Sequence, residues 1–448
     1  MNLHPGARVH IVGCAGAGMS GVARFLHDYG CVVSGCDAAI GESADDLIRE
    51  GIAITLDTDP LAGDDADVVL WSPAVPLIHP VLLRARDRGA TLLARSELLG
   101  QLGGLFDVVG LTGTHGKTTA TSMMVHVMAA AGRDDSWLVG ADVRGVGKNG
   151  HAGSSSTLLL ETDESYGTFA LLRPFALGVL NVEADHLDHY GDLATLEAAF
   201  VNLIERTTGP VVAWIDDAGA ARVASMVHRD VLTVGTSDHA QWRVIESQLH
   251  RRSATFTLQG DRTVAITLRV TGAHNVANAA VVAVLALTLG VDESAVVAGL
   301  EAFRGAPRRF EFRGTYRDFD VYEDYAHLPA EIAATLEAAR AAGYQRIVAV
   351  FQPHRFSRTH AVGVAFAPAF DLADEVIVTD IYASGEENVH SVSGADVADA
   401  IQSHRDHEVR YAATKDEVLD ALTLADGDAL FFIGAGDVGQ WADDVVTA

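Results

Sequence analysis

A short apolar strand, a glycine-rich loop and a long helix follow one another directly, and this order restricts the fold more than any other feature. The strand is Val108–Leu111, the loop reads GLTGTHGKTT over Gly110–Thr119, and the helix is predicted over Thr118–Ala131. Glycines let backbone N–H groups turn inward around a phosphate, and the N-terminus of the following helix adds partial positive charge. The order predicts a phosphate-binding loop in an α/β sheet. A plain glycine-rich turn with a surface lysine is the alternative.

Two side chains of this loop suit ATP. Lys117 is placed to reach the β- and γ-phosphates, and Thr118 is placed to hold Mg²⁺. The spacing departs from the common phosphate loop, because Leu111 stands where a glycine is expected. Gly110 and Gly113 are present instead. We therefore expect ATP and Mg²⁺ as cofactors of an enzyme that hydrolyses ATP.

Strands also alternate with helices on both sides of this loop. The 448 residues suggest about three domains, and we place them at residues 1–100, 101–306 and 307–448. Alternation of this kind predicts α/β units built on parallel sheets. The segment Val231–Val270 has the alternating pattern of antiparallel strands, so the central sheet is predicted to be mixed. In the third domain a helix is predicted over Lys415–Leu424.

A second glycine loop lies near the N-terminus. Gly13 and Gly18 follow the strand Arg8–Val12, but Ala15 occupies the middle of the dinucleotide fingerprint. Asp37 ends the next strand, where an acidic residue meets a ribose in dinucleotide-binding proteins. The loop indicates binding of a nucleotide. NAD binding, and tight packing without any ligand, remain the alternatives.

Polar residues follow two apolar strands of the central domain. Glu161 and Asp163 come after Leu158–Leu160, and the run Asn181–His186 comes after Leu177–Leu180. Hard oxygen ligands suit Mg²⁺, and phosphate oxygens complete its coordination shell. Glu161 and His186 are the candidate ligands, although each residue alone is also a typical solvated loop residue.

Asn275 and Asn278 stand where a helix opens. One interpretation is that an asparagine caps the helix N-terminus. The other is that the amides contact a base or a phosphate of the nucleotide. The sequence does not separate the two.

Basic and imidazole groups of the third domain also follow strands. They are Arg308 and Arg309, Asp324–His327, and His354, Arg355 and Arg358. Sites on open sheets form at the carboxyl ends of strands, and arginines there can hold carboxylate or phosphate. Pairing with surface acids is the alternative.

The chain has a net charge of −28, from 32 basic and 60 acidic side chains. Such a field repels nucleic acid and anionic lipid, so neither is expected as a partner. Cys14, Cys31 and Cys36 are too few and too close to one terminus for a disulfide framework. Residues 1–8 lack the apolar core of a signal peptide, and Val276–Leu289 is too short to span a bilayer. We expect a cytoplasmic protein.

These motifs together resemble the Mur ligase family. GTHGKTT at Gly113–Thr119, with Gly110, is the phosphate loop of that family rather than the general one. Supporting motifs run in order along the chain: Gly16–Gly21, Glu161–Ser165, Asn181–Asp188, Gly272–Asn278, Phe303–Phe310, Asp324–His327, Phe351–Arg355 with Arg358, and Gly434–Asp437. The particular similarity is to the enzyme that adds the first amino acid in peptidoglycan precursor synthesis.

The resemblance implies an α/β fold of three domains: a Rossmann-like domain for the UDP-sugar, a central P-loop ATPase domain with a mixed sheet, and a C-terminal Rossmann-like domain. It implies UDP-N-acetylmuramate and L-alanine as substrates, joined through an acyl phosphate, in a monomer or homodimer. The implied ATP-binding residues are Gly113, Thr114, His115, Gly116, Lys117, Thr118, Thr119, Asn275, Asn278, Arg309, Asp324 and Tyr325. The implied UDP-sugar residues are Gly13, Gly16, Gly18, Met19, Ser20, Asp37 and Ser72. The implied metal ligands are Thr118, Glu161 and His186, and the implied catalytic residues are Lys117, His186, His327, His354, Arg355 and Arg358.

The chain departs from the family pattern at three places. Leu328 stands where a second histidine is usual, Ala15 replaces a glycine, and His79–Val81 replaces Asn-Pro-Glu. A sister ligase that attaches a recycled peptide, and a folate-type polyglutamate ligase, remain alternatives. From other classes, a nucleotide sensor and an NAD dehydrogenase are also compatible with single motifs.

Overall fold

The structure is a computed structural model, and it describes residues 3–72, 74–422 and 428–447. The chain divides into two compact units. The first consists of Met1–Ser247, Thr255–Leu268 and His274–Arg304, and the second consists of Gln248–Ala254, Arg269–Ala273 and Gly305–Ala448. Each unit is an α/β structure built on open sheets.

The first sheet has five strands in the order β3-β2-β1-β4-β5, and all neighbours run parallel. Parallel neighbours need crossover connections, and three of the four helices provide them. The strands are β1 (Arg8–Val12), β2 (Val32–Asp37), β3 (Ala53–Leu56), β4 (Val68–Trp71) and β5 (Thr91–Ala94), and the helices are α1 (Ala17–Asp28), α2 (Glu42–Arg49), α3 (Pro80–Asp87) and α4 (Arg95–Leu102).

The second sheet has ten strands in the order β15-β14-β13-β12-β11-β10-β6-β9-β7-β8. Its strands are β6 (Asp107–Thr112), β7 (Ser136–Leu138), β8 (Gly150–His151), β9 (Thr157–Thr162), β10 (Ala176–Val179), β11 (Val211–Trp214), β12 (Leu232–Gly235), β13 (Trp242–His250), β14 (Ser253–Gln259) and β15 (Thr263–Leu268). Its helices are α5 (Lys117–Ala130), α6 (Leu187–Tyr190), α7 (Leu193–Arg206), α8 (Ala218–Met226), α9 (Ala273–Thr288) and α10 (Glu293–Ala302), with a 3-10 segment at Ser165–Leu171.

This sheet is mixed, as the sequence predicts. In sheet order, the neighbouring strands β12, β11, β10, β6, β9 and β7 all run parallel to one another. The pair β7–β8 at the edge is antiparallel. Only two residues, Arg251 and Arg252, connect β13 to β14. A connection this short requires an antiparallel pair, which agrees with part of the antiparallel patch predicted over Val231–Val270. The prediction is wrong for β12, which lies in the same segment but pairs parallel with β11 and β13.

The third sheet has six strands in the order β16-β17-β21-β18-β19-β20. It is parallel except for the antiparallel pair β16–β17 at one edge. The strands are β16 (Glu311–Tyr316), β17 (Phe319–Asp324), β18 (Ile347–Phe351), β19 (Glu375–Val378), β20 (Val409–Tyr411) and β21 (Ala429–Ile433). The helices are α11 (Pro329–Ala341), α12 (Phe356–Val362), α13 (Gly394–His404), α14 (Lys415–Leu422) and α15 (Val438–Thr447), with a 3-10 segment at Gly363–Phe370. Of the helix predicted over Lys415–Leu424, the last two residues lie outside the described part of the chain.

Strand register explains where the polar loops meet. In the central sheet Thr112 aligns with Thr162 of β9 and with Val179 of β10. In the third sheet Ile433 aligns with Asp324 of β17 and with Phe351 of β18. The loops that follow aligned residues leave the sheet at the same edge. Sequence-distant loops are therefore brought together at the carboxyl ends of both sheets.

Among the helices in the described ranges, none combines the length and the apolar character that crossing a bilayer requires.

Candidate functional site

The phosphate loop connects β6 to α5, and two of its glycines are required by its geometry. Gly113 has φ +151° and Gly116 has φ +80°, a region that side chains with a Cβ rarely adopt. A Cβ on Gly113 would lie 3.0 Å from the backbone N and O of Asn181, and one on Gly116 would lie 2.8 Å from Oδ1 of Asn278. The loop can therefore turn its N–H groups inward only with glycine at both positions.

Asn181, which follows β10, holds the loop in place. Its Oδ1 accepts the N–H of His115 at 2.7 Å, and its Nδ2 donates to the carbonyl of His115 at 3.0 Å. The hydroxyl of Thr114 accepts the N–H of Glu183 at 2.8 Å. These bonds hold the backbone of the loop in place before a ligand binds. Less conformational entropy of the loop is therefore lost when a phosphate binds.

Lys117, the first residue of α5, is held by two acidic side chains. Its Nζ donates to Oε2 of Glu164 at 2.9 Å and to the carbonyl of Thr114 at 3.1 Å, and lies 3.6 Å from Oδ1 of Asp163. Burial lowers the pKa of Lys117, but the charges of Glu164 and Asp163 outweigh it and raise the pKa overall. The ammonium therefore stays charged beside the loop.

Glu164 is the fully buried partner of this pair. Its side chain is 0% exposed, and burial raises its pKa even though Lys117 acts in the opposite direction. A buried carboxylate depends on its cation, because desolvation is costly without a partner. Sequence reasoning named Asp163 but gave Glu164 no role; the dense acidic run after β9 was the available signal.

Thr118 and Glu161 form a pair of hard oxygen donors next to the lysine. The Thr118 hydroxyl donates to Oε1 of Glu161 at 2.9 Å, and the N–H of Gly140 donates to Oε2 at 2.5 Å. The predicted ligands Thr118 and Glu161 are thus in direct contact. Gly140, between β7 and β8, orients the carboxylate and was not singled out from the sequence.

His186 lies in a different group of side chains. Ligand atoms of Asp163, Glu164 and His186 lie within 4.8 Å of one another, and Glu161 is not part of that group. His186 has φ +51°, which is unusual for a residue with a Cβ. Such backbone strain is often found at functional sites. The structure thus places two groups of candidate metal ligands beside Lys117, where the sequence predicted one. The first is the Thr118–Glu161 pair, and the second is Asp163, Glu164 and His186.

Asn275 and Asn278 both lie inside α9, which begins at Ala273. The alternative that either residue caps this helix is wrong, because the helix starts before them. The side chain of Asn278 stands against Gly116 of the phosphate loop, and Asn275 is buried one turn earlier. Thr119 continues α5 from the loop.

The N-terminal glycine loop is closed by an acidic side chain. Oδ2 of Asp37 accepts the N–H of Ala15 at 2.9 Å, so Asp37 supports the loop in addition to any contact with a ribose. Gly13 has φ +77°, and a Cβ there would lie 3.3 Å from Cβ of Ser72. Gly16 precedes α1 and provides no side-chain cap for it.

Two predicted UDP-sugar residues face the interior. Met19 and Ser20 are each 2% exposed, and Met19 belongs to the hydrophobic core. The Ser20 hydroxyl accepts a hydrogen bond from Nδ2 of Asn149 at 3.0 Å. Both side chains are therefore buried here, and Ser20 is bonded to the central domain; the assignment of the two residues to the UDP-sugar stays a prediction.

In the second unit, the side chain of Arg308 forms hydrogen bonds to groups at two strand ends. Its Nε donates to Oε1 of Glu323 at 2.6 Å, and its Nη2 donates to the carbonyls of Gly434 at 3.0 Å and Gly436 at 2.8 Å. Its guanidinium also lies 4.7 Å from the ring centre of Tyr325. Arg308 is thus used to join strand ends, whereas Nη1 of the neighbouring Arg309 lies 3.9 Å from Oε1 of Glu331.

Asp324 is the last residue of β17, and Tyr325 follows it directly; both lie beside these arginines. Asp324 is 5% exposed and accepts the N–H groups of Phe310 and Ala326, both at 2.8 Å. Burial raises its pKa despite the charge of Arg309. Arg309 lies 5.5 Å from the ring centre of Tyr325. The three predicted ATP residues of this unit are therefore adjacent.

His327, His354 and Arg358 form one cluster. Nη1 of Arg358 lies 3.0 Å from Nδ1 of His354, and the two imidazole centres are 6.1 Å apart. The Tyr382 ring stacks on His354 at 5.7 Å, a contact that sequence reasoning missed. Arg355 has φ +68° and is exposed. The cluster places two cationic side chains next to two imidazoles.

The pKa of His354 is lowered to about 4, first by burial and then by the charges of Arg358 and Arg355. We expect Arg358→Met to raise this pKa part of the way toward 6.5, because one positive charge beside the ring is removed. NMR titration of the imidazole Cε1–H measures it, and His354→Gln identifies the resonance. Arg346→Met, an exposed site in the same domain, should leave it unchanged. An identical pKa in Arg358→Met would show that the Arg358 charge does not contribute, and would leave burial and Arg355 as the causes.

Leu328, where the family usually has a second histidine, is 39% exposed and precedes α11. Its N–H donates to Oε2 of Glu331 at 3.2 Å.

Three family models match the chain in succession. The model described as Mur ligase family, catalytic domain, matches residues 8–106, and the Mur ligase middle domain matches residues 111–286. The Mur ligase, glutamate ligase domain matches residues 308–436. The three matches leave only short connecting stretches and termini uncovered.

Two curated relatives match nearly the whole chain. The UDP-N-acetylmuramate–L-alanine ligase of Acidothermus cellulolyticus is 40% identical over 96% of this chain and 92% of its own length. The protein of the same name from Kineococcus radiotolerans is 41% identical over 98% of this chain and 95% of its own.

Two solved structures also match this chain over nearly its whole length. The UDP-N-acetylmuramate–alanine ligase of Thermotoga maritima superposes with a TM-score of 0.79 at 29% identity and covers 98% of both chains. A murein peptide ligase of Psychrobacter arcticus superposes with a TM-score of 0.69 at 22% identity, over 99% of this chain and 98% of that one. The second similarity concerns the fold alone.

Proposed function

This chain belongs to the Mur ligase family, and we propose that it is the ATP-dependent enzyme that joins L-alanine to the carboxylate of UDP-N-acetylmuramate, releasing ADP and phosphate in peptidoglycan precursor synthesis. The observation that carries the proposal is 40% identity over 96% of the chain to a ligase of that name. The phosphate loop with its lysine and the Thr118–Glu161 pair supply the chemistry that ATP requires.

The loop residues bind the triphosphate of ATP. Backbone N–H groups of the loop and the N-terminus of α5 surround the phosphates, and Lys117 adds a positive charge next to the γ-phosphate. Because Glu164 and Asp163 position the ammonium, the lysine is oriented before ATP arrives. Asn275 and Asn278 are the further ATP-binding residues that we propose in the first unit. In the second unit we propose Arg309, Asp324 and Tyr325 for the same role.

The chemistry of the donor set fits Mg²⁺. Thr118 and Glu161 offer hard oxygens in direct contact, and Asp163, Glu164 and His186 form a second set. We propose Thr118 and Glu161 as ligands of an ion shared with the phosphates, and His186 as a ligand in the neighbouring set. When bound, Mg²⁺ neutralises charge on the phosphate oxygens.

A carboxylate is a poor electrophile and must be activated. We infer that an oxygen of the substrate carboxylate attacks the γ-phosphorus, the bond to the bridging oxygen breaks, and ADP leaves. The alanine nitrogen then attacks the acyl carbon, loses a proton, and inorganic phosphate leaves with the bonding electrons. Arg355 and Arg358 suit binding of the carboxylates of the sugar and of alanine. His354, which stays neutral at neutral pH, adds no further charge to that pair.

The remaining parts of the proposal concern the organisation of the protein. We propose domain boundaries at 1–100, 101–306 and 307–448. We further propose a cytoplasmic monomer or homodimer without nucleic acid or membrane partners. The sister enzyme that attaches a peptide remains the second candidate, since a murein peptide ligase shares the fold.

Phosphate release tests this function. Purified protein is incubated with ATP, Mg²⁺, UDP-N-acetylmuramate and L-alanine, and each component is omitted in turn. Release that needs both substrates, with a product heavier by one alanyl residue, is the expected result. Release only when a tripeptide replaces alanine would instead identify the peptide ligase, and no release in any mixture would contradict both.

A further inference from the structure

Helix α12 begins at the arginines to which the proposed function assigns substrate carboxylates. Arg355 is the cap residue of the helix, and Arg358 lies in its first turn. Helix caps are usually Ser, Thr, Asp or Asn, because their side-chain oxygen accepts the N–H of the second or third helical residue. A guanidinium carries donors only, so Arg355 cannot accept these N–H groups. The first turn of α12 therefore needs an acceptor from another part of the chain.

Glu386, in the loop after β19, supplies this acceptor. Its Oε2 accepts the N–H of Ser357 at 3.0 Å, and the hydroxyl of Ser357 donates to Oε1 at 2.8 Å. Ser357 is the second residue of the helix, so Glu386 takes the place of an ordinary capping side chain. A negative charge also suits the N-terminus of a helix. Glu386 thus completes the first turn of α12 from a position 29 residues further along the chain.

The loop that carries Glu386 is itself fixed to the start of the helix by backbone bonds. The N–H of Arg355 donates to the carbonyl of Tyr382 at 2.9 Å, and the N–H of Tyr382 donates to the carbonyl of Pro353 at 2.9 Å. The ring of Tyr382 also stacks on the imidazole of His354. The loop therefore holds α12 at its cap residue through Tyr382 and at its first turn through Glu386.

The charge of Glu386 acts on the same cluster of side chains. Hydrogen bonds from Ser357 lower the pKa of Glu386, and the charges of Arg355 and Arg358 lower it further, so the carboxylate is ionised at neutral pH. Its charge raises the pKa of His354, whereas the neighbouring charge of Arg358 lowers it. The charge of Glu386 and its hydrogen bonds to the helix therefore have effects that experiments can separate.

We propose that Glu386 is a positioning residue of the ligase, which caps α12 and so orients Arg355 and Arg358 for the carboxylate of alanine. This inference rests on the proposed function, which assigns the two arginines to substrate carboxylates. Glu386 acts through the helix, since both of its oxygens are engaged by Ser357. The arginine at the cap position is thereby free to serve the substrate, because a residue of the neighbouring loop does the capping.

Steady-state kinetics of Glu386 variants tests this role. Glu386→Ala leaves the first turn without its acceptor, so the KM for alanine should rise about tenfold, as expected for a lost helix cap. The kcat at saturating alanine and the KM for ATP should stay within about twofold. Glu386→Gln keeps an oxygen for the N–H of Ser357 and loses only the charge, so its KM for alanine should stay within about threefold of the wild type. Glu387→Ala removes the exposed neighbouring carboxylate and is the matched control, with an unchanged KM.

The NMR titration of His354 gives a second readout that does not need catalysis. When α12 loses its cap, Arg358 is no longer held beside the imidazole, and the pKa of His354 in Glu386→Ala should rise above the wild-type value. The loss of a negative charge alone, as in Glu386→Gln, should lower this pKa slightly, because a nearby anion favours the imidazolium. The opposite directions of the two shifts separate positioning from charge.

An unchanged KM for alanine in folded Glu386→Ala overturns the proposal. Equal losses in Glu386→Ala and Glu386→Gln also overturn it, and would assign the carboxylate to direct contact with the alanine ammonium. Thermal melting checks the fold. If the alanine variant unfolds, Glu386→Asp decides the question, because it keeps the charge but is one methylene shorter than the distance to Ser357 requires, and its KM should rise likewise. A wild type that forms no alanyl product, together with the two opposite pKa shifts, would refute the proposed function and keep Glu386 as the group that positions Arg358.

Discussion

Replacing Lys117 with methionine is expected to reduce the rate of ligation by at least about a thousandfold. The reason is that Lys117 supplies positive charge where negative charge develops during phosphoryl transfer. Product formation at saturating ATP, sugar nucleotide and alanine measures the loss. Lys148→Met removes a half-exposed lysine from the same domain and should retain normal turnover.

The same substitution should also destabilise the protein, because it leaves Glu164 buried without its cation. Breaking a buried ion pair typically costs about 3–5 kcal/mol. Without Lys117 the pKa of Glu164 rises further above its unfolded value. A raised carboxyl pKa favours folding at low pH and loses that contribution as pH increases through it. Urea denaturation should therefore show a larger defect at alkaline than at acidic pH.

A double variant separates these two effects. Lys117→Met with Glu164→Gln removes both charges, so stability should return toward that of the wild type while ligation stays absent. If the double variant recovers turnover, Lys117 is needed only to neutralise Glu164, and the assignment to the phosphates is wrong. If Lys117→Met is active while folded, the phosphate-binding loop itself must be reassigned.

Glu161→Gln is expected to reduce kcat/KM about a hundredfold or more at low Mg²⁺. Glutamine keeps the shape of the side chain and can still accept from the Thr118 hydroxyl, but it removes the negative charge. It also places an amide where the N–H of Gly140 now donates. The Mg²⁺ concentration for half-maximal phosphate release should increase, and excess Mg²⁺ should restore part of the rate.

Asp238→Asn is the matched control, since it removes one exposed negative charge from the same domain. Its Mg²⁺ dependence should equal that of the wild type. A Glu161→Gln variant with reduced activity but unchanged Mg²⁺ dependence would show that Glu161 only positions Thr118. In that case the metal ligands would have to be sought among Asp163, Glu164 and His186.

The phosphate loop was predictable because its function depends on backbone conformation and short-range order. Glycines at 113 and 116, a lysine and a threonine at the start of a helix specify a phosphate cradle within ten residues. The α/β class and the family were likewise confirmed, since alternating apolar strands and helices, and ordered motifs, are properties of the chain itself.

Side-chain partners across the sheet were not predictable in the same way. Lys117 and Glu164 are 47 residues apart, and only the parallel pairing of β6 with β9 brings their loops together. The two asparagines of α9 were open to a capping interpretation until the helix was found to begin at Ala273. Met19 and Ser20 belong to a loop motif, yet the helical rotation of α1 turns both inward.

The sequence by itself therefore determined the family, the fold class and the phosphate loop, because these follow from local backbone requirements and from the order of motifs. Only the tertiary structure decided which charges meet. It gave Lys117 a buried acidic partner and placed His186 with Asp163 and Glu164. The physical reason is that an ion pair depends on distance and burial, and strand register sets both between residues that are remote in the chain.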